Sequence, residues 1–126
     1  MIIGVGVDIV DVNRIGKLVS RFGDRFLKKI LSQPETRLGL TEHQLTIYVA
    51  KQFAAKEAVS KALGIGMRGG VSFRTIQVLR NRYGAPYVEL AGRAAESARR
   101  IGASNIQISL SDEKDYAIAY VIASSK

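Results

Sequence analysis

Two residues with chemical potential lie four positions apart in the segment 53–64, where Glu57 precedes Lys61. This spacing places a carboxylate and an amine on one face of a helix, one turn apart. A second carboxylate, Asp8, follows Gly4 and Gly6 in a β-branched run. If that run and the helix pack around one core, Asp8 and Glu57 could share a magnesium ion, which prefers oxygen ligands.

Each of these residues also has an ordinary explanation. Glu57 and Lys61 are equally consistent with an exposed i,i+4 pair, worth about 0.3 to 0.5 kcal/mol. Asp8 could simply cap the segment that follows it. The chain contains no cysteine, which excludes a thiolate nucleophile and a zinc-thiolate site, so oxygen atoms would have to hold any metal. The single histidine, His43, is interpreted as a surface residue.

The length and composition predict one compact globular domain over residues 1–126, with 47% hydrophobic and 24% charged residues. No apolar run approaches the roughly 18 residues that cross a bilayer, and the first residues lack the features of an export signal. We therefore expect a cytoplasmic location.

A formal net charge of +8 predicts a surface that attracts polyanions. Nucleic acid, a phosphorylated cofactor and an acidic protein are all compatible with it. With four Phe and five Tyr and no Gly/aromatic motif of the base-stacking type, the sequence does not support nucleic acid specifically.

The hydrophobic pattern predicts four helical or turn regions and five strands. Residues 2–10 form a buried strand in which Ile3, Val5 and Val7 share one face. Asp11 is a suitable N-cap for the next helix, and Thr41 with Gln44 makes a capping box for a long helix that ends at Gly64. The remaining predicted elements are strands 75–80 and 86–90, a helix over 92–101 closed by a glycine, and strands 106–110 and 116–123.

This order of elements predicts an α+β fold, a single domain whose helices pack on a mostly antiparallel sheet. Two connections could contact a ligand. The loop 64–70 contains several glycines and one cation, Arg68, and the turn 81–85 joins two strands as a hairpin. The first helix and the turn after Gly23 present a basic face, which is either solvated or a docking surface for an acidic partner.

Two segments together resemble a known family. The sequence GVGVDIV at 4–10 followed by Arg14, and FAAKEAVSKALG at 53–64, are similar to the two signature motifs of the holo-acyl-carrier-protein synthases, the small-type 4′-phosphopantetheinyl transferases. The resemblance extends to YGAP at 83–86 and to the segments 108–111 and 116–122. It spans nearly the whole chain.

The resemblance implies the 4′-phosphopantetheinyl transferase fold and a defined reaction. Such an enzyme transfers the phosphopantetheine arm of coenzyme A to a serine of apo acyl carrier protein, releasing 3′,5′-ADP, in fatty acid biosynthesis. Family members form homotrimers with the cofactor between subunits. A homotrimer with interfacial active sites is therefore expected here, with coenzyme A and an acidic acyl carrier protein as partners and without nucleic acid or membrane.

The resemblance also implies roles for individual residues. Asp8 and Glu57 would bind Mg²⁺, and Glu57 or a water on the metal would take the proton of the carrier's serine. Lys61 would pair with a phosphate oxygen or orient Glu57. The implied coenzyme A contacts are Lys61, Gly64, Arg68, Gly84 and Pro86, and the implied carrier-docking residues are Arg14, Arg21 and Arg25.

The chain departs from the family pattern at two positions. Gln52 stands where the family usually has Arg, so that charge would come from elsewhere, for example from Lys51 or Lys56. Asp112 stands where many members have His, and a carboxylate cannot take over phosphate binding. Two alternatives therefore stay open: a basic non-catalytic module that binds RNA or an acidic protein, and a catalytically inactive relative of the family.

Overall fold

The computed structural model describes residues 1–67 and 71–126. It contains four α-helices, α1 (Val12–Phe22), α2 (Asp24–Ile30), α3 (Glu42–Leu63) and α4 (Gly92–Ile101), in the described ranges. The strands are β1 (Ile2–Asp11), β2 (Ile76–Arg80), β3 (Pro86–Leu90), β4 (Asn105–Asp112) and β5 (Tyr116–Ser124). Single 3-10 turns occupy Gln33–Glu35 and Phe73–Thr75.

The strands form two separate antiparallel sheets. One has the order β1-β5-β4, and the other is the β2-β3 hairpin. The predicted α+β class is confirmed, as are the Asp11 cap, the Thr41 capping box and the left-handed Gly64 at the end of α3. The region after Gly23, predicted as a turn, is the seven-residue helix α2. None of the helices in residues 1–67 and 71–126 is long and apolar enough to span a bilayer.

Helix α3 lies across the three-stranded sheet, and small side chains allow this close approach. Ala54, Ala55 and Ala58 are fully buried on the helix, and alanines alternate along the inner face of β5. A Cβ atom on Gly4 or Gly6 would collide with the carbonyl oxygens of Ala62 and Ala58, respectively. The two glycines therefore allow β1 to contact the helix backbone directly.

The prediction that β1 is a buried strand is wrong for one of its faces. Val5 and Val7 are each 49% exposed and Ile9 is 60% exposed, because the glycine face, not the valine face, packs on α3. The strand also continues past Asp8 to Asp11. The predicted grouping of Ile3 with Val5 and Val7 is also wrong, because the ladder shifts register between Ile2 and Gly4 and Ile3 packs against the core. Apolar periodicity alone did not indicate which face meets the helix.

Strand β5 has its larger side chains on the outside. Its inner face contributes Ala117, Ala119, Val121 and Ala123, all fully buried. The outer-face residues of β5 lie next to the exposed residues of β1 in the ladder, with Ile118 across from Ile9 and Tyr120 across from Val7. The outer sheet face, defined by Val5, Val7, Ile9, Tyr116, Ile118 and Tyr120, is thus a contiguous exposed apolar surface.

Candidate active site

The packing of β1 on α3 brings Asp8, Glu57 and Lys61 together. The Lys61 ammonium lies 3.0 Å from Oδ1 of Asp8 and donates a second hydrogen bond of 2.9 Å to the carbonyl of Val7. The Asp8 side chain is mostly shielded, with 16% exposure, whereas that of Lys61 is 52% exposed. The three residues that the sequence singled out thus occupy one site, although Asp8 and Glu57 are far apart along the chain.

The carboxyl group of Glu57 is electrostatically coupled to this site. Its burial raises the pKa, and the negative charge of Asp8 raises it further. The positive charges of Lys61 and Arg14 act in the opposite direction. Asp8 is therefore close enough for its charge to penalise the ionisation of Glu57, which is an effect that a bound cation relieves.

The donor set fits magnesium better than a metal that needs an all-protein cage. In residues 1–67 and 71–126, Asp8 and Glu57 are not joined by a third His, Asp or Glu ligand, since no group of three such residues is close enough to hold an ion. Magnesium commonly takes one or two carboxylates and completes its shell with water and substrate phosphates.

Arg14, expected at a docking surface, also lies beside the carboxylates. Its guanidinium sits over the ring of Phe53, 5.8 Å from the centroid, and its charge acts on Glu57. Phe53 lies one helical turn before Glu57 on α3. The first helix therefore contributes directly to the edge of the site.

Next to Phe53 is a pocket of about 380 Å³ that the sequence did not indicate. Phe53 stacks on Phe73 with ring centroids 5.1 Å apart. We call this the aromatic pocket, and its lining consists of Leu18, Phe22, Arg25, Phe26, Lys29, Ile30, Phe53 and Phe73. The signal in the sequence that could have indicated it is the four-residue spacing of Leu18, Phe22 and Phe26.

The other expected docking residues lie on the same side of the fold. Arg21 and Arg25 both approach the ring of Phe22, at 5.1 and 5.7 Å from its centroid. Arg25 also lines the aromatic pocket. The basic face of α1 and α2 is therefore continuous with an apolar recess, rather than being a charged surface alone.

Only some of the residues expected to contact coenzyme A lie near the two carboxylates. Gly64 ends α3 three residues beyond Lys61, in a left-handed conformation. Gly84 and Pro86 belong to the β2-β3 hairpin, and no hydrogen bond or ion pair within the described ranges links them to Asp8, Glu57 or Lys61. Arg68 lies outside the described residues.

Gln52, which departs from the family pattern, is part of a buried polar network. Its amide nitrogen donates to Glu35 Oε2 at 2.5 Å and to the carbonyl of Val78 at 2.8 Å. Its amide oxygen accepts a 2.9 Å hydrogen bond from Arg80. The cation beside this position is therefore Arg80, which the sequence did not single out.

The two lysines considered as replacements for the missing arginine have other partners. Lys51 forms a 2.8 Å ion pair with Asp112, so the unusual carboxylate is neutralised by a cation from α3. Lys56 is fully buried and forms a 2.6 Å ion pair with Glu35. Both departures from the pattern thus have a structural partner.

The comparisons with known proteins identify the family of this chain. A family model described as the 4′-phosphopantetheinyl transferase superfamily matches residues 4–121. The chain is 44% identical over 121 residues to the holo-acyl-carrier-protein synthase of Shewanella amazonensis, covering 96% of this chain and 97% of the relative.

Two solved structures extend the similarity to the fold. The holo-acyl-carrier-protein synthase of Neisseria meningitidis has a TM-score of 0.87 at 39% identity, covering 99% of this chain and all of that chain. The Bacillus anthracis enzyme, in complex with coenzyme A (3′,5′-ADP), has a TM-score of 0.83 at 36% identity, covering 100% of this chain and 99% of that one. The chain therefore belongs to the 4′-phosphopantetheinyl transferase superfamily.

Proposed function

We propose that this protein is a magnesium-dependent holo-acyl-carrier-protein synthase. It transfers the 4′-phosphopantetheine arm of coenzyme A to a serine of apo acyl carrier protein and releases 3′,5′-ADP, a step of fatty acid biosynthesis. The observation that carries the proposal is the convergence of Asp8, Glu57 and Lys61 at the contact of β1 with α3. The relatives of this chain have that name, and one solved relative contains coenzyme A.

In this proposal Asp8 and Glu57 hold Mg²⁺. When bound, the metal offsets the negative charge that develops on the pyrophosphate during transfer. Lys61 keeps the Asp8 carboxylate in place through its 3.0 Å ion pair, and its half-exposed ammonium remains accessible to a phosphate oxygen.

Glu57 is the proposed general base. The serine oxygen attacks the phosphorus atom that bears the pantetheine arm, the bond to the 3′,5′-ADP oxygen breaks, and the serine proton passes to Glu57. Burial and the proximity of Asp8 raise the pKa of Glu57 above the ordinary range of a carboxyl group. In the metal-free protein this makes the carboxylate a better proton acceptor than an exposed glutamate, and Mg²⁺ bound at the same carboxylate would oppose the effect.

The carrier protein docks on the basic face of α1 and α2. Arg14, Arg21 and Arg25 supply the positive charge that an acidic carrier requires. The aromatic pocket beside them offers an apolar recess for a side chain of the carrier, one helical turn from Glu57. Interfaces commonly combine such a central apolar anchor with a charged rim.

We also infer that the protein assembles as a homotrimer through the outer sheet face. Ile9 at 60% exposure and Tyr120 at 47% are paired with further apolar residues across the β1-β5 ladder. Contiguous exposed apolar surface of this kind marks an interaction site. With a second copy on this face, Gly64, Gly84 and Pro86 complete a coenzyme A cleft between subunits.

A mass-shift assay tests the function. The protein is incubated with coenzyme A, Mg²⁺ and apo acyl carrier protein, and intact-mass spectrometry should detect the added phosphopantetheine arm. Asp8→Asn and Glu57→Gln should each lower turnover by about 10²- to 10⁴-fold while thermal unfolding stays close to that of the wild type.

Two results would count against this function. If the wild type leaves the carrier unmodified while an established transferase modifies it, the protein is not a synthase for that carrier. The alternative, a basic binding module, predicts salt-sensitive RNA binding that survives both substitutions.

A further inference from the structure

Lys56 immediately precedes the proposed base Glu57, yet its side chain is completely enclosed. Its ammonium has three hydrogen-bond acceptors within the fold. They are Oε1 of Glu35 at 2.6 Å, the carbonyl of Ile30 at 2.6 Å and the carbonyl of Phe73 at 2.7 Å. A lysine ammonium has three donors, so all of them are used.

Two of these acceptors belong to residues that line the aromatic pocket. Ile30 is the last residue of α2, and Phe73 begins the 3-10 turn before β2. These segments come from different parts of the chain and are joined here by one ammonium on α3. Lys56 thus connects two walls of the aromatic pocket to the helix that contains Glu57.

The remaining contacts of Phe73 extend this connection towards the site. The Phe73 ring stacks on Phe53, which lies four residues before Glu57 on the same face of α3. Arg14 covers the Phe53 ring and interacts electrostatically with Glu57. A displacement of the Phe73 backbone would therefore move the ring that stacks on Phe53, the residue one helical turn before Glu57.

The energetics of burial argue for a role beyond stability. Enclosing the ammonium lowers the pKa of Lys56, because desolvation outweighs the attraction of Glu35. A buried ion pair of this kind commonly stabilises a protein no better than apolar residues of similar volume. A lysine at this position provides three directed hydrogen bonds, which an apolar side chain could not supply.

We propose that Lys56 is a positioning residue for carrier binding: its ammonium fixes the carbonyls of Ile30 and Phe73 and thereby sets the width of the aromatic pocket beside Glu57. This inference rests on the proposed function, because it assumes that the aromatic pocket receives the carrier. It concerns the affinity for the carrier and leaves the binding of coenzyme A to other residues.

The test separates the KM for the carrier from the KM for coenzyme A. The principal variant is the double substitution Lys56→Met with Glu35→Gln, which removes both buried charges and so avoids leaving one unpaired. We expect its KM for the carrier to rise about tenfold, as for the loss of a well-packed anchor, with less than a twofold change in the KM for coenzyme A. Lys51→Met is the matched control, since it removes an ion-paired lysine from the same helix away from the pocket.

Phe26→Ala removes a wall of the pocket directly. It therefore distinguishes the role of the aromatic pocket in docking from the role of Lys56 in positioning that pocket. If Phe26→Ala raises the carrier KM and the double variant does not, the role of Lys56 is overturned and the docking site stands. If neither variant changes the carrier KM in an active enzyme, the pocket is not the docking site and both proposals fall. A wild type without transferase activity overturns the proposed function itself.

A measurement on the wild type covers the case in which the double variant does not fold. Native-state hydrogen exchange should detect the end of α2 and the Phe73–Thr75 turn opening as one cooperative unit. Clearly different opening free energies for the two segments would overturn the proposal, because they would mean that the Lys56 bridge does not couple them.

Discussion

Lys61 forms its ion pair with Asp8 on the neighbouring strand, at 3.0 Å, although Glu57 is the carboxylate one turn away on its own helix. The same ammonium bonds to the carbonyl of Val7, which anchors it to the β1 backbone. No ion pair within residues 1–67 and 71–126 includes Glu57. The helical Glu57–Lys61 pair suggested by the spacing is thus replaced by a contact between helix and strand. The Glu57 carboxylate is not neutralised by an ion pair in these ranges.

The first prediction concerns the pKa of Glu57 in the metal-free protein. Asp8→Asn should lower this pKa, because it removes a neighbouring negative charge. Lys61→Met and Arg14→Gln should each raise it, because each removes a positive charge that favours the carboxylate. Carboxyl ¹³C NMR titration of the labelled protein measures all three shifts. If the pKa of Glu57 were unchanged in the Asp8→Asn variant, the result would contradict a site shared by the two carboxylates.

The raised pKa also predicts a pH-dependent stability. The folded state binds the Glu57 proton more tightly than the unfolded state, so this contribution is complete at low pH and is lost as pH rises through the folded pKa. Above the ordinary value of 4.5, the free energy of unfolding of the wild type should therefore fall relative to that of Glu57→Gln. Urea unfolding of both proteins between pH 4 and pH 8, about the usual stable range, measures the difference. If the free energies of unfolding of the two proteins changed with pH in parallel, this prediction would be refuted.

A third prediction tests the contact of β1 with α3. Gly6→Ala should destabilise the protein by about 1 to 3 kcal/mol, because the new methyl group meets the carbonyl of Ala58. It should also lower turnover, since Asp8 lies two residues along the same strand. Gly16→Ala is the control: inside α1, its methyl would meet only side-chain atoms of Thr46, the nearer at 3.3 Å, and no backbone, and should change stability by less than about 1 kcal/mol. Equal effects of the two substitutions would contradict this account.

The outer sheet face provides a fourth prediction. Ile9→Glu or Ile118→Glu should convert the proposed trimer into monomers, because a charge would be buried between apolar surfaces. Leu38→Glu is the control, since Leu38 is 91% exposed and lies elsewhere. Sedimentation equilibrium measures the mass. A monomeric wild type, or trimers that persist in both charged variants, would show that this face is not the interface.

The fifth prediction concerns the docking arginines. Arg21→Glu and Arg25→Glu should each raise the KM for the carrier by about tenfold, and this KM should become less sensitive to salt. Arg100→Glu on α4 makes the same charge change on another exposed helix and should have little effect. Comparable losses in all three variants would point to net charge rather than to a specific docking face.

The local features of this fold could be predicted from the sequence because they depend on neighbouring residues. The Thr41 and Gln44 side chains satisfy backbone groups within three residues, and Gly64 supplies the left-handed ending of α3. The family motifs likewise pointed to Asp8, Glu57 and Lys61. The ion pair of Lys61 with Asp8 and the effect of the Asp8 charge on Glu57 show that the fold brings these side chains together, and their roles in metal binding and catalysis stay predictions.

The contacts between distant segments were decided only by the tertiary structure. The pairing of Lys61 with Asp8 depends on Gly4 and Gly6 turning towards α3, and β-branched periodicity cannot distinguish that face from the valine face. The network of Glu35, Gln52 and Lys56 joins segments whose separation along the chain gives no local signal. Such contacts arise from packing around a common core, which brings together groups that no sequence spacing relates.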